Sequence, residues 1–280
     1  MYSKGDDYGY TGLAEIYLGW AKHTQSDDES NAYIAKAEGV ISEGLKAARN
    51  HEQLWIASSE IEKFLGFEPK RIQALELALG SVAASRSARY LLGRYYRSKG
   101  RPKDALTVLK PALDNFPEDY RLFVEYANAM LEDGEPFGKA AAVLQLASLT
   151  GMRDARYIAN LGGMLFMSGD YSESERIFAT TADRHFSFAE ATRPHFIPRE
   201  SGHPRRPLRL AGKVAAVKPG YTFIDSGSMP SFFHFGTKAG GEVLRPGLEV
   251  TFEPGFSARG RIAQGVQITT VAAEQKALFS

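Results

Sequence analysis

Four glycines, Gly66, Gly100, Gly134 and Gly169, fall 34, 34 and 35 residues apart, each closing one helical run and preceding another. Glycine suits such places because the left-handed backbone that ends a helix strains any residue carrying a Cβ. A period of about 34 residues with one turn glycine per unit specifies stacked helix hairpins, which bury their core between neighbours instead of around one centre. The apolar spacing stays helical from residue 10 to 184, beginning with Leu13, Ile16, Tyr17 and Trp20 at i, i+3, i+4 and i+7.

The clearest unit spans residues 87–117. Leu92-Gly93, Tyr96, Ala105, Leu109, Ala112 and Pro117 alternate small and large side chains, so that Gly93, Ala105 and Ala112 admit a second helix while the larger residues fill the space around it. These residues and spacings resemble the tetratricopeptide repeat. Tyr126-Ala127, Met130, Ala140, Leu144 and Ala147 continue the register with one inserted residue near Pro136, and Leu161-Gly162, Leu165, Ser174 and Phe178 continue it again, with Thr181 where alanine is usual. Upstream, Ser59, Gly66, Leu75 and Ala78 match in part, with Trp55 and Ile61 keeping an apolar face.

In the first hairpin Leu18-Gly19 supplies the Leu-Gly pair, a polar loop covers residues 24–30, and Ile34, Ile41, Leu45 and Ala48 mark the second helix. About five hairpins result, above the three or so that make such a stack stable. A terminal repeat has nothing to bury its outer face. Residues 1–9 are too few for a capping helix, so the first hairpin is expected to cap itself, to follow a preceding segment or to meet a partner.

The formal net charge of +1 conceals an asymmetry. Residues 1–184 hold 22 Lys and Arg against 26 Asp and Glu, and the rest of the chain holds 12 against 7. The absence of cysteine excludes disulfides, thiol catalysis and thiolate-bound zinc. No apolar run approaches eighteen residues and no basic-then-apolar leader is present, so a cytoplasmic location without membrane association is expected.

The helical period stops after residue 184. Pro194, Pro198, Pro204 and Pro207 with Gly202 exclude a long helix, and Arg193, Arg199, Arg205, Arg206 and Arg209 make the stretch basic. Residues 185–207 therefore read as an interdomain connection. Strand-like runs follow at 209–217, 221–224, 231–235, 249–253 and 260–269, with Pro246-Gly247 and Pro254-Gly255 as turns, and residues 272–280 form a tail.

Within these strands two runs crowd the rings together, Gly220-Tyr221-Thr222-Phe223-Ile224 and Ser231-Phe232-Phe233-His234-Phe235. Alternate residues of a strand share a face, which groups Tyr221 with Phe223 and Phe232 with His234. If the strands pair, those four rings form one platform, with Phe235 at its edge and Ile224 and Phe233 turned into the core. An exposed patch of this kind usually marks a binding surface.

Together with Gly212-Lys213-Val214, the run 244–252, Ala263 and Val266, these motifs resemble a cold-shock domain over residues 208–271. The resemblance implies a five-stranded OB barrel that binds single-stranded RNA or DNA. It assigns base stacking to Tyr221, Phe223, Phe232, His234 and Phe235, with Lys213, Lys218, Lys238, Arg259 and Arg261 as supporting cations. Ala215 or Ala216 stands where that family carries a Trp, Pro219 where it carries a lysine and Thr222 where it carries a glycine, so one stacking surface and one cation are missing. Resemblance to the repeat family implies in turn a protein or peptide partner held in a groove lined by Tyr90, Arg94, Arg97, Val124, Asn128, Leu131, Phe166 and Met167.

Other chemistry finds little support. His185, His195, His203 and His234 lie 10, 8 and 31 residues apart, which fits no metal-ligand pattern. Glu173 and Glu175 read as a solvated helix face, 236–241 lacks the spacing of a phosphate loop, and no nucleophile elbow occurs. The expectation is a multidomain chain of α-solenoid (1–184) plus small β-barrel (208–271), with no cofactor and no catalytic or metal site. It would act as an adaptor between single-stranded nucleic acid and a protein. The alternative is an interaction segment of a larger assembly in which the barrel binds no nucleic acid.

Overall fold

The structure, a computed structural model, describes residues 7–48, 51–82, 85–147, 154–181, 193–200 and 203–269. Ten described helices pair in sequence as five antiparallel hairpins in a tetratricopeptide-like arrangement: α1 (Asp7–His23) with α2 (Asp27–Ala47), α3 (Glu52–Leu65) with α4 (Glu68–Ser81), α5 (Arg86–Ser98) with α6 (Pro102–Asn115), α7 (Tyr120–Glu132) with α8 (Phe137–Gln145), and α9 (Ala155–Met167) with α10 (Tyr171–Ala179). No described helix is long and apolar enough to cross a membrane. The chain divides into two compact units between Phe116 and Pro117, so that α7–α10 share a unit with the strands.

The hairpins close as the glycine period requires. Gly66, Gly100, Gly134 and Gly169 have φ of 78°, 69°, 96° and 92°, the left-handed conformation that other residues adopt only with strain. At the opposite ends Ser26, Ser85, Asp119, Asp154 and Asp170 accept hydrogen bonds from backbone N–H groups of the first turns of α2, α5, α7, α9 and α10. In the first unit Leu92, Gly93, Ala105, Leu109 and Ala112 are buried in the α5–α6 hairpin as their spacing predicts. A Cβ at Gly93 would lie 2.6 Å from Leu109 Cγ, so the helix contact itself demands glycine there.

In the second unit nine described strands follow the helices: β1 (Arg199–Glu200), β2 (His203–Pro207), β3 (Leu210–Lys218), β4 (Tyr221–Ser226), β5 (Met229–His234), β6 (Lys238–Ala239), β7 (Glu242–Val243), β8 (Glu249–Ser257) and β9 (Gly260–Ile268). Five of them close a barrel in the order β3-β4-β5-β9-β8, every pairing antiparallel except β5 with β9. Val214, Ile224, Phe232, Val250 and Phe252 are among the barrel residues buried in its core. The short hairpins β1–β2 and β6–β7 were not expected from the sequence, and residues 270–280 lie outside the described part.

Barrel and helices share one core. The ring of Phe166 on α9 lies 5.4 Å from that of Phe232 and 5.5 Å from that of Phe256, and Phe178 on α10 stacks flat against Phe256. The Thr181 hydroxyl donates to the Ala258 carbonyl at 3.0 Å, and Arg261 pairs with Glu175. Within the expected connection, residues 185–192 and 201–202 lie outside the description, but Phe196 is buried and pairs with β8 through N–H···O bonds with Phe256 of 2.8 and 3.2 Å. Its ring meets Phe137 of α8 edge-on. This part of the connection is an extra β-bridge to the barrel, pinned by an aromatic that the surrounding prolines obscured.

Candidate functional site

The candidate surface is built by β4 and β5. Gly220 and Gly227, both with positive φ, turn the chain at either end of β4. Along β4 the buried residues are Thr222, Ile224 and Ser226, which leaves Tyr221, Phe223 and Asp225 on the outer side. Across the ladder Ile224 pairs with Phe232 and Phe223 with Phe233.

That register corrects the sequence expectation. Phe232, expected in the platform, is 0 % exposed and packs on Phe252, Phe256 and Phe166. Phe233, expected in the core, joins the outer face. A bulge causes the exchange: Ser226 pairs with Met229 but Ile224 with Phe232, so one extra residue enters β5's side of the count and every side chain beyond it changes face.

The outer face is nevertheless a cluster of four rings. Tyr221 and Phe233 stack with centroids 5.0 Å apart and planes 23° from parallel. Phe223 stands edge-on to both, at 5.6 and 5.7 Å, and Phe235 stands edge-on to Phe233 at 4.7 Å. Tyr221, Phe223 and Phe233 are half-buried by one another, whereas Phe235 is 44 % exposed.

His234 does not belong to this cluster. Its Nδ1 lies 3.2 Å from the Ala263 carbonyl and its Nε2 3.3 Å from the Lys238 carbonyl, so the imidazole ties β5 to β9 and β6.

Among the expected cations, Lys218 pairs across the ladder with Tyr221, Lys213 with Asp225, and both are exposed. Lys238 is also exposed, at the start of the β6–β7 hairpin. Arg259 occupies the β8–β9 turn, which packs on α10. Arg261 is engaged elsewhere: it donates to the Ser231 carbonyl at 3.0 Å, pairs with Glu175 and lies 5.2 Å over the Phe166 ring. At the far end of the outer face the Ser231 hydroxyl donates to Asp225 at 2.5 Å. Beyond it a cleft of about 550 Å³ is lined by Gly212, Lys213, Asp225, Glu249 and Thr251 among others.

The expected peptide groove fares differently in the two units. In the first, Tyr90, Arg94 and Arg97 lie along α5, with the Arg94 guanidinium 5.6 Å over the Tyr90 ring. In the second, Val124 and Phe166 are each 1 % exposed and closed to a ligand, Phe166 because the barrel seats on it. Asn128 donates to the side-chain oxygen of Asn160, whose own amide reaches toward the His195 carbonyl at 3.5 Å. Leu131 and Met167 are half-buried. On α9, therefore, the chain's own barrel and its Phe196 segment take the place that an external peptide was expected to fill.

The described residues include no group of three or more His, Asp or Glu placed to hold a metal. A family profile for the tetratricopeptide repeat matches residues 86–129. No curated protein matches the sequence. Similar solved structures include PilW, a type IV pilus biogenesis factor (19 % identity, 62 % of this chain and 75 % of that one, TM-score 0.46), and pilF of Pseudomonas aeruginosa (14 %, 65 % and 80 %, TM-score 0.48). YrrB, a tetratricopeptide-repeat protein with an unusual peptide-binding site, is similar at 15 % identity over 65 % of this chain and 87 % of that one, TM-score 0.44.

Proposed function

We propose that the chain is a non-catalytic interaction protein whose barrel holds unpaired nucleotides on the β4–β5 ring face and whose repeats hold a protein partner. The observation that carries this reading is the cluster of Tyr221 and Phe223 on β4 with Phe233 on β5 and Phe235 just past it, the first three half-buried and Phe235 exposed. Numbered within the barrel, its strands run 1-2-3-5-4, and the rings lie on the second and third. In OB barrels that face, with its flanking loops, is the one that binds oligonucleotides.

Flat rings suit bases because every base has a π-face, and each stacked base contributes about 1–3 kcal/mol. Lys218 beside Tyr221 and Lys213 farther along β3 supply charge for phosphates. Residues 208–269 hold seven Lys and Arg against four Asp and Glu, and Arg209 and Arg261 are paired internally with Glu253 and Glu175. The electrostatic part of binding is therefore small, and stacking dominates.

Fluorescence anisotropy with labelled single-stranded and duplex oligonucleotides tests the reading. Binding to the single strand is expected, with Tyr221→Ala/Phe233→Ala weakening it at unchanged fold. Equal affinity for duplex, or affinity indifferent to the double substitution, refutes it.

A further inference from the structure

α1 carries two apolar faces. Ala14, Leu18 and Ala21 are buried in the core of the first unit. At 100° per residue, Gly12, Ile16, Gly19 and Trp20 fall on the opposite side. Ile16 is 50 % and Trp20 52 % exposed, and a Cβ added to Gly12 or Gly19 would meet nothing within 4 Å.

The indole is held in place: Trp20 stands edge-on to Tyr17 at 5.6 Å and to Tyr33 at 5.4 Å, with the Lys36 ammonium 5.4 Å over the Tyr33 ring. Each mid-helix glycine costs about 1 kcal/mol relative to alanine. None of the described residues uses the room they leave. Glu15 and Lys22 stand on one flank of this face, both exposed and, among the described residues, without an ion-pair partner, and the exposed His23 lies on the face itself in the last turn of the helix.

We propose that this face pairs with the same face of a second copy, α1 lying antiparallel to α1 and crossing near Gly19. A two-fold interface presents one patch to itself. In the antiparallel form the two charged flanks fall on the same side of the seam, so Glu15 of each copy stands opposite Lys22 of the other while Ile16 meets Trp20. A parallel pairing sends the flanks to opposite sides and leaves all four charges unmet. The charge pattern thus selects both the occupant and its direction. Glycine at the crossing lets the helix axes approach to about 8 Å, the near end of the usual range. One helix pair buries less than the roughly 1,600 Å² of a standard interface, so a reversible dimer is expected.

Sedimentation equilibrium of the full chain from about 1 to 200 µM tests this, a range that brackets micromolar association. A monomer–dimer equilibrium is expected. Ile16→Glu abolishes it with an unchanged circular dichroism spectrum, the side chain being exposed and outside the core. Glu15→Lys and Lys22→Glu each weaken it by about tenfold, and the double swap Glu15→Lys/Lys22→Glu restores it, since the swapped pair is again complementary. The chain contains no cysteine, so Gly19→Cys gives an unambiguous second readout, a covalent dimer on oxidation. A monomer throughout the range overturns the proposal, as does a dimer indifferent to Ile16→Glu or one whose charge reversals are not rescued by the swap.

Discussion

Exchanging two neighbouring phenylalanines for alanine, one at a time, separates core from surface in β5. Phe232 is fully buried, with rings of Phe252, Phe166 and Phe256 at 5.0, 5.4 and 6.4 Å. Phe232→Ala removes the side chain from the point where barrel and α9 meet, and burial of this kind costs about 3–5 kcal/mol when truncated. For a unit of this size each kcal/mol lowers the melting temperature by about 2–4 °C, so a fall of roughly 6–20 °C is expected. Phe233 lies one residue on and on the other face, touching Tyr221, Phe223 and Phe235. Phe233→Ala forfeits ring–ring contacts of about 0.5–1.5 kcal/mol each, partly compensated by solvent, and leaves the barrel core intact. Its effect belongs to binding, where one lost base stack corresponds to at least a several-fold weaker Kd. Thermal denaturation followed by far-UV circular dichroism, with hydrogen exchange of the β4 and β5 amides, measures both variants. A larger loss for Phe233→Ala than for Phe232→Ala would refute the bulged register and restore the opposite facing.

Gly163→Ala tests the seat of the barrel on α9: its Cβ would stand 2.8 Å from the Phe256 ring and closer still to Phe196, and a destabilisation of about 1–3 kcal/mol in urea is expected. Arg156→Ala removes the guanidinium paired with the Glu125 carboxylate, which is 1 % exposed, and should cost about 1–3 kcal/mol by the same assay. Burial, then donation of its hydroxyl to Asp154 at 2.8 Å, pushes the Tyr120 pKa from 10.0 up to about 12. The protonated phenol is the form the fold favours, so its contribution is complete below about pH 10 and disappears as pH rises to about 12. Denaturation midpoints across that window should fall less steeply for Tyr120→Phe than for the unaltered chain.

The helices were legible because their signals are local. A turn glycine with positive φ, a Ser or Asp at the start of a helix and a small residue where two helices touch are each written at one position, and Gly100, Ser85 and Gly93 lie where their roles require. The barrel's strands were legible for the same reason, from alternation and turn residues. Facing was not. Alternation fixes that Phe232 and Phe233 oppose each other but not which one turns inward, and the answer depends on a bulge between Ile224 and Ser226 that no residue type announces. Four rings still reach the outer face because Phe stands at 233 and, just past the end of β5, again at 235, so the face opposite to the expected one also presents a pair of rings.

The same distinction explains why the groove residues divided. Resemblance places Val124, Asn128 and Phe166 on a ligand-facing surface, and that placement is local to the repeat. At Gly163 and Phe166 what fills the surface comes from residues some 30 to 90 positions later, Phe196, Phe232 and Phe256, brought there by the closed barrel and the bridge to it. Each of these aromatics reads as ordinary core or ordinary linker in isolation. Their convergence on Gly163 and Phe166 makes the last hairpin and the barrel mutually dependent: α9 without the barrel would expose Phe166, and the barrel without α9 would open Phe232 and Phe256 to water. A fragment starting at residue 208 should therefore bind ANS and lose cooperative melting, whereas one starting at residue 117 keeps both surfaces covered. Cooperative melting of the shorter fragment at the same temperature would show that the shared core contributes nothing to the barrel's stability.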